Sequence, residues 1–177
     1  QCIPHQRTAQ RVGELWRRGL ADAEDPVGRV VRRTRHIFHV DLLKPRQLFC
    51  NQADVRRFVS QTEHTLGPVD VLVSNAGIAG PTAPAMEVSL ADWQRTLAVD
   101  LTGPFLCARE VLKSMVPRAQ KSGACGRIIN IGSTAGRIPY PQRSPYASAK
   151  WGLIGLTITL AQEVGPYGIR VNCVCPG

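Results

Sequence analysis

What most constrains this chain is an alternation of two hydrophobic periods from Val69 to its end. VDVLVSNAG (69–77) packs apolar residues at neighbouring positions, the pattern of a buried strand, and Asn-Ala-Gly carries it into a loop. Ser89 with Asp92 three residues on is a helix-capping pair. Behind it Leu90, Trp93, Leu97, Leu101, Phe105, Ala108, Leu112 and Met115 recur at three- and four-residue spacing, which predicts one long amphipathic helix. GRIINIGS (126–133) reads as a second buried strand. Ser144-Pro145 predicts another helix, with serine as cap and proline at the first helical position. Its stripe runs through Leu153, Leu156, Leu160 and Val164, and Gly165, Pro166 and Gly168 stop it before a third strand, IRVNCVC (169–175). Strand–helix–strand–helix–strand order demands right-handed crossovers and a parallel sheet, here expected to be covered on both faces. The fold class is therefore α/β.

Residues 1–68 are less regular. Thr8 to Ala23 predicts a basic helix and Val30 to Val40 holds a candidate strand. Gln52 to Leu66 predicts a helix with Val55, Phe58, Val59, Thr62 and Leu66 on one side. Gly13, Gly19 and Gly28 are isolated, so no glycine-rich turn follows a strand in this stretch. The expected organisation is a single partial domain over 1–177, atypical and poorly ordered over 1–50.

At 177 residues, with 44% apolar and 20% charged residues, the chain has the composition of a soluble globular domain. No apolar stretch approaches the roughly 20 residues of a membrane span, and nothing at the start marks export, so a cytoplasmic protein is expected. The net charge of +9 concentrates between Arg29 and Arg46, but no aromatic interleaving accompanies it, which argues for a solvated face over nucleic-acid binding. Six cysteines form no Cys-x-x-Cys pair, and the four histidines all precede residue 69, so no metal site is expected. The cysteines read as reduced thiols; Cys173 and Cys175, two apart on a strand, share a face.

Tyr146 and Lys150 lie four apart at the start of a helix, on one face. A phenol with a pKa of about 10 is a poor acid-base group at neutral pH unless a cation favours its anion, and Lys150 is that cation. Ser133, thirteen residues before the tyrosine, closes the preceding strand at the end where open parallel sheets bind ligands. Its hydroxyl is placed to polarise a carbonyl oxygen while the tyrosine moves the proton.

Asp70 to Gly77 (DVLVSNAG), VDLTG at 99–103, IINIGS at 128–133, YASAK at 146–150 and the terminal Pro-Gly together resemble the short-chain dehydrogenase/reductase family, particularly the 3-oxoacyl-carrier-protein reductase branch. The resemblance covers about Gln52 to Gly177. It implies a Rossmann-like, doubly wound parallel sheet, present in part, and hydride transfer between NAD or NADP and a small-molecule carbonyl or secondary alcohol. Tyr146 would be the general acid/base, Lys150 would lower its pKa and bind the nicotinamide ribose, and Ser133 would hold the substrate oxygen. Asn75, Ala76 and Gly77 would line the cofactor pocket, with Pro176 and Gly177 bordering the nicotinamide. Homo-oligomers are implied for a complete form, and neither nucleic acid nor membrane is expected as a partner.

The family's TGxxxGxG turn has no counterpart in residues 1–68, nor has its adenine-facing Asp-Val pair, and the later substrate region is not represented. The chain alone is accordingly expected to bind a dinucleotide weakly. Asp100 stands where the family has asparagine. Pro104 lacks the N–H that would bond the Asp100 carbonyl, so the helix is expected to kink there. The family resemblance then assigns Asp100 a catalytic part through its main-chain carbonyl, its carboxylate being incidental. The competing reading is a catalytically inactive, truncated or frame-shifted family fragment acting at most through subunit association.

Overall fold

The computed structural model describes the backbone of residues 37–40 and the whole of residues 51–177. The Thr8–Ala23 helix, most of the Val30–Val40 strand, the glycines before residue 29 and the basic stretch between Arg29 and Arg46 lie outside or largely outside these residues. Among the described residues there are four strands: β1 (Ile37–Val40), β2 (Val71–Ser74), β3 (Arg127–Ile131) and β4 (Arg170–Val174). Between them run α1 (Gln52–Leu66), α2 (Leu90–Leu97), α3 (Gly103–Ser122) and α4 (Ser144–Val164). All pairings are parallel, in the order β1-β2-β3-β4, with Leu72 beside Ile128 and Ile128 beside Val171.

The local chemistry accounts for most boundaries. Asn51 caps α1 by accepting the Ala53 N–H at 2.8 Å, and Gly67 ends it at φ 89°. The α1 stripe stops short of Leu66, which is 60% exposed in the last turn, while Val55 and Val59 are buried. Ser89 accepts the Asp92 N–H at 3.0 Å and donates to the Asp92 carboxylate at 2.7 Å, as its spacing predicts. At α4 the cap shifts by one: Arg143 is the cap residue and Ser144 the first helical one, with Pro145 behind it. A 3-10 turn over Gly165–Tyr167 and left-handed Gly168, φ 73°, end that helix.

One core joins α1, α3 and α4 to one face of the sheet. Val55, Leu106, Val111, Met115, Leu160 and Val164 pack with Leu72, Ile128 and Val171, each under a tenth exposed. Val73, Ile129 and Ile131, pointing the other way, are only partly buried. The expectation of cover on both faces is therefore met on one face among the described residues. The strand order explains this: right-handed crossovers that always step the same way along a sheet drop every helix on the same side. Among the described residues no helix is long and apolar enough to cross a membrane.

The long helix predicted from Leu90 to Met115 is also interrupted. Ala98–Thr102 form a π turn, and the Gly103 N–H reaches back five residues to the Ala98 carbonyl. Pro104, near the start of α3, cannot supply the bond an uninterrupted helix would need, and the wider turn takes up the mismatch. Asp100 sits within this turn and is fully buried.

Candidate active site

Three neighbouring parallel strands end at the same edge of the sheet, and the segments leaving them are the ones the sequence singles out. Asn75–Gly77 follow β2, Gly132–Ser133 follow β3, and Cys175–Gly177 follow β4. Such an edge is where open parallel sheets accept ligands. Helix α4 delivers Tyr146 and Lys150 to it from its first two turns. The loop after β2 is tied to the start of α4: Arg143 donates to the carbonyls of Ala79 at 3.0 Å and Gly80 at 3.4 Å, and the Ala83 N–H bonds the Gln142 carbonyl at 3.0 Å.

Lys150 is the hub. Its Nζ is 5.5 Å from the centroid of the Tyr146 ring, donates to the Ile131 carbonyl at 3.1 Å, and lies 3.5 Å from Asp100 Oδ2. The ammonium is 6% exposed and the carboxylate 0%, so both charges are held away from water. Asp100 Oδ1 accepts the Ile78 N–H at 2.8 Å, whereas Oδ2 has the ion pair but no hydrogen bond. Gly77 stands over this pair: a Cβ there would lie 3.5 Å from both Asp100 Oδ2 and Lys150 Nζ. The Asp100 carboxylate thus sits beside Lys150, where the sequence places its negative charge. A residue inside a predicted helix gives no sign that a π turn will aim it inward.

Burial pushes the Asp100 carboxyl above the ordinary 3.8, against the opposing pull of the Lys150 ammonium and the Ile78 N–H. Between the ordinary and the raised value the unfolded chain has lost this proton while the folded chain keeps it. The stability this group contributes therefore falls as pH rises from 3.8. Asp100→Asn should remove that falling component. Denaturant unfolding of both chains from about pH 4 to 8 checks it; identical pH slopes would show that Asp100 is ionised throughout.

Ser133 is placed by its own turn. Its Oγ accepts the Ala135 N–H at 3.2 Å, capping the 3-10 turn Thr134–Gly136 and leaving the O–H to donate elsewhere. That turn presses on α4: a Cβ on Gly136 would lie 2.7 Å from the Lys150 carbonyl oxygen, so only glycine lets the two segments meet. Thr134 N–H bonds the Pro176 carbonyl at 2.9 Å, which brings Pro176-Gly177 beside the Ser133 turn. Asn75 is exposed, and Ala76 packs against the core instead of standing clear of it. Tyr146 also meets the Tyr140 ring, centroids 6.3 Å apart.

Sequence reasoning missed several supports. The Ile131 carbonyl and Ile78 N–H are backbone groups with no sequence signature. Gly136 and the buried Asn130, whose Nδ2 donates to Thr157 Oγ1 at 2.9 Å, do leave one. A glycine right after Ser-Thr-Ala and an amide inside the apolar run RIINI both mark close packing.

A family model described as short chain dehydrogenase matches residues 30–177. The chain is 47% identical over 111 residues to a trans-4-hydroxycyclohexanecarboxylate dehydrogenase of Sinomonas cyclohexanicum, covering 63% of this chain and 40% of that one. It is 42% identical over 127 residues to a 3-oxoacyl-[acyl-carrier-protein] reductase of Synechocystis, covering 72% and 49%. The fold superimposes on an NAD+-bound xylitol dehydrogenase with a TM-score of 0.69 and 32% identity, over 73% of this chain and 48% of that chain. The chain spans about half the length of these relatives, or less.

Proposed function

The chain belongs to the short-chain dehydrogenase family, and from that premise we propose that the protein is an NAD- or NADP-dependent oxidoreductase acting on a small carbonyl or secondary alcohol. The observation that carries this reading is the Lys150 ammonium, buried and fixed by Ile131 and Asp100, 5.5 Å from the Tyr146 ring. A cation fixed beside the ring is placed to stabilise the negative charge that the phenol takes on as it gives up its proton.

The residues present fit a nicotinamide dinucleotide at its ribose and nicotinamide end. Lys150 has three N–H donors, one of them given to Ile131, which leaves capacity for ribose hydroxyls. Asn75–Gly77 and Pro176-Gly177 form the walls at the same strand ends. When bound, the dinucleotide supplies or accepts the hydride. In the reducing direction Tyr146 gives its phenolic proton to the substrate oxygen, and Lys150 stabilises the tyrosinate left behind. Ser133, its Oγ already bonded to the Ala135 N–H, donates its O–H to the same oxygen and holds it in place. Asp100 keeps Lys150 in position.

The test is oxidation of NADH or NADPH by the purified protein against a panel of ketones and aldehydes. Protein-dependent, substrate-dependent oxidation with at least one pair is expected. No turnover with any pair, in a sample with native circular dichroism, would favour the inactive, associating fragment instead.

A further inference from the structure

At the end of β4 two sulfurs converge. Cys173 Sγ and Cys175 Sγ are 3.8 Å apart, and both lean over Gly132: a Cβ on that glycine would lie 2.7 Å from the first and 3.0 Å from the second. The pair is partly buried, unlike exposed Cys125 or the deeply buried Cys107. We propose that Cys173 and Cys175 are a redox modification site, a dithiol that low-molecular-weight disulfides oxidise reversibly to an intrastrand disulfide. This goes beyond the catalytic reading and does not depend on it.

The exchange balances in two steps. The Cys175 thiolate attacks the reagent disulfide, forming a mixed disulfide and expelling one thiolate. The Cys173 thiolate then attacks the Cys175 sulfur and expels the second, so two protein thiols are oxidised while one reagent disulfide is reduced to two thiols. Burial, and next the neighbouring Cys175 thiol, push the Cys173 thiol above its ordinary value, so it is the poorer first nucleophile, and its attack relies on the Cys175 sulfur lying only 3.8 Å away.

The backbone permits the bond. Cys173 lies within β4 and Cys175 follows its last residue, and two residues of extended chain span at most about 6.4–6.8 Å between Cα atoms, within what a disulfide can bridge. Val174 is held by its ladder position beside Ile131 and by the Gly132 N–H at 2.7 Å. Cys175 lies beyond the ladder, so closure must draw in Cys175 and Pro176. Pro176 is the residue whose carbonyl accepts the Thr134 N–H, next to Ser133. Oxidation is therefore coupled to the Ser133 turn.

Excess oxidised glutathione, followed by alkylation and trypsin, provides the test, because the peptide beginning at Val171 carries both sulfurs. It should refuse the alkylating agent and weigh about 2 Da less than the dithiol. Reductant should restore two alkylation sites, and in Cys173→Ser the peptide should stop at the glutathione adduct. Thr134 amide exchange should quicken by about tenfold in the oxidised chain. A peptide that still takes two alkyl groups while Cys125 is modified would overturn the proposal. So would a stable glutathione adduct in the unmutated chain, or a disulfide that leaves Thr134 exchange unchanged.

Discussion

Tyr146→Phe should lower turnover by about a hundred- to ten-thousand-fold, the range of a lost general acid/base, while dinucleotide affinity stays within about twofold. In barrier terms that is about 2.7–5.5 kcal/mol. The substitution isolates the hydroxyl. Phenylalanine keeps the ring that faces Lys150 Nζ at 5.5 Å and meets Tyr140 at 6.3 Å, so packing at the start of α4 is preserved. The Lys150 bonds to Ile131 and Asp100 do not involve the phenol and should persist. What disappears is the one proton that the mechanism moves. Steady-state kinetics beside a dinucleotide titration separate the two quantities. Near-normal turnover in the variant would remove Tyr146 from the mechanism, and a matching loss of affinity would make it a binding residue.

The parts of this molecule legible in the sequence are those whose cause is local. The α1 boundaries follow from Asn51 and Gly67, and the Ser89–Asp92 cap from its spacing. The buried runs become β2, β3 and β4 because strands covered by helices must be apolar where they face them. Tyr146 and Lys150 share a face because helical residues four apart do, and the observed ring-to-ammonium contact follows. What sequence periodicity hides is anything set by two distant segments at once. The π turn at Ala98–Thr102 changes which way Asp100 points, and a three-and-four-spaced stripe runs through such a turn without a visible break. One-sided helix cover depends on strand order, which no single segment encodes. The carbonyl of Ile131 and the close approach of Gly136 to Lys150 exist only once β3 and α4 are side by side.

Lys150→Met should cost about 3–5 kcal/mol of stability at neutral pH, the penalty for stripping one partner from a buried ion pair. Methionine fills the channel but leaves the fully buried Asp100 carboxylate with the Ile78 N–H alone, and it leaves the Ile131 carbonyl without its donor. The loss should shrink toward pH 4, because Asp100, already raised by burial, can then take up a proton and shed the uncompensated charge. Adding Asp100→Asn removes the charge altogether, and its amide oxygen still accepts from Ile78. The double variant should therefore recover most of the lost stability while turnover stays low, since no cation is left to favour the tyrosinate. A denaturant-based double-mutant cycle measures the coupling between the two positions. If Lys150→Met fails to fold, the double variant must still do so. A single variant within about 1 kcal/mol of the parent would mean that the ion pair holds nothing together. A double variant that regains turnover along with stability would show that Lys150 serves the fold alone, and the electrostatic account of Tyr146 would fall with it.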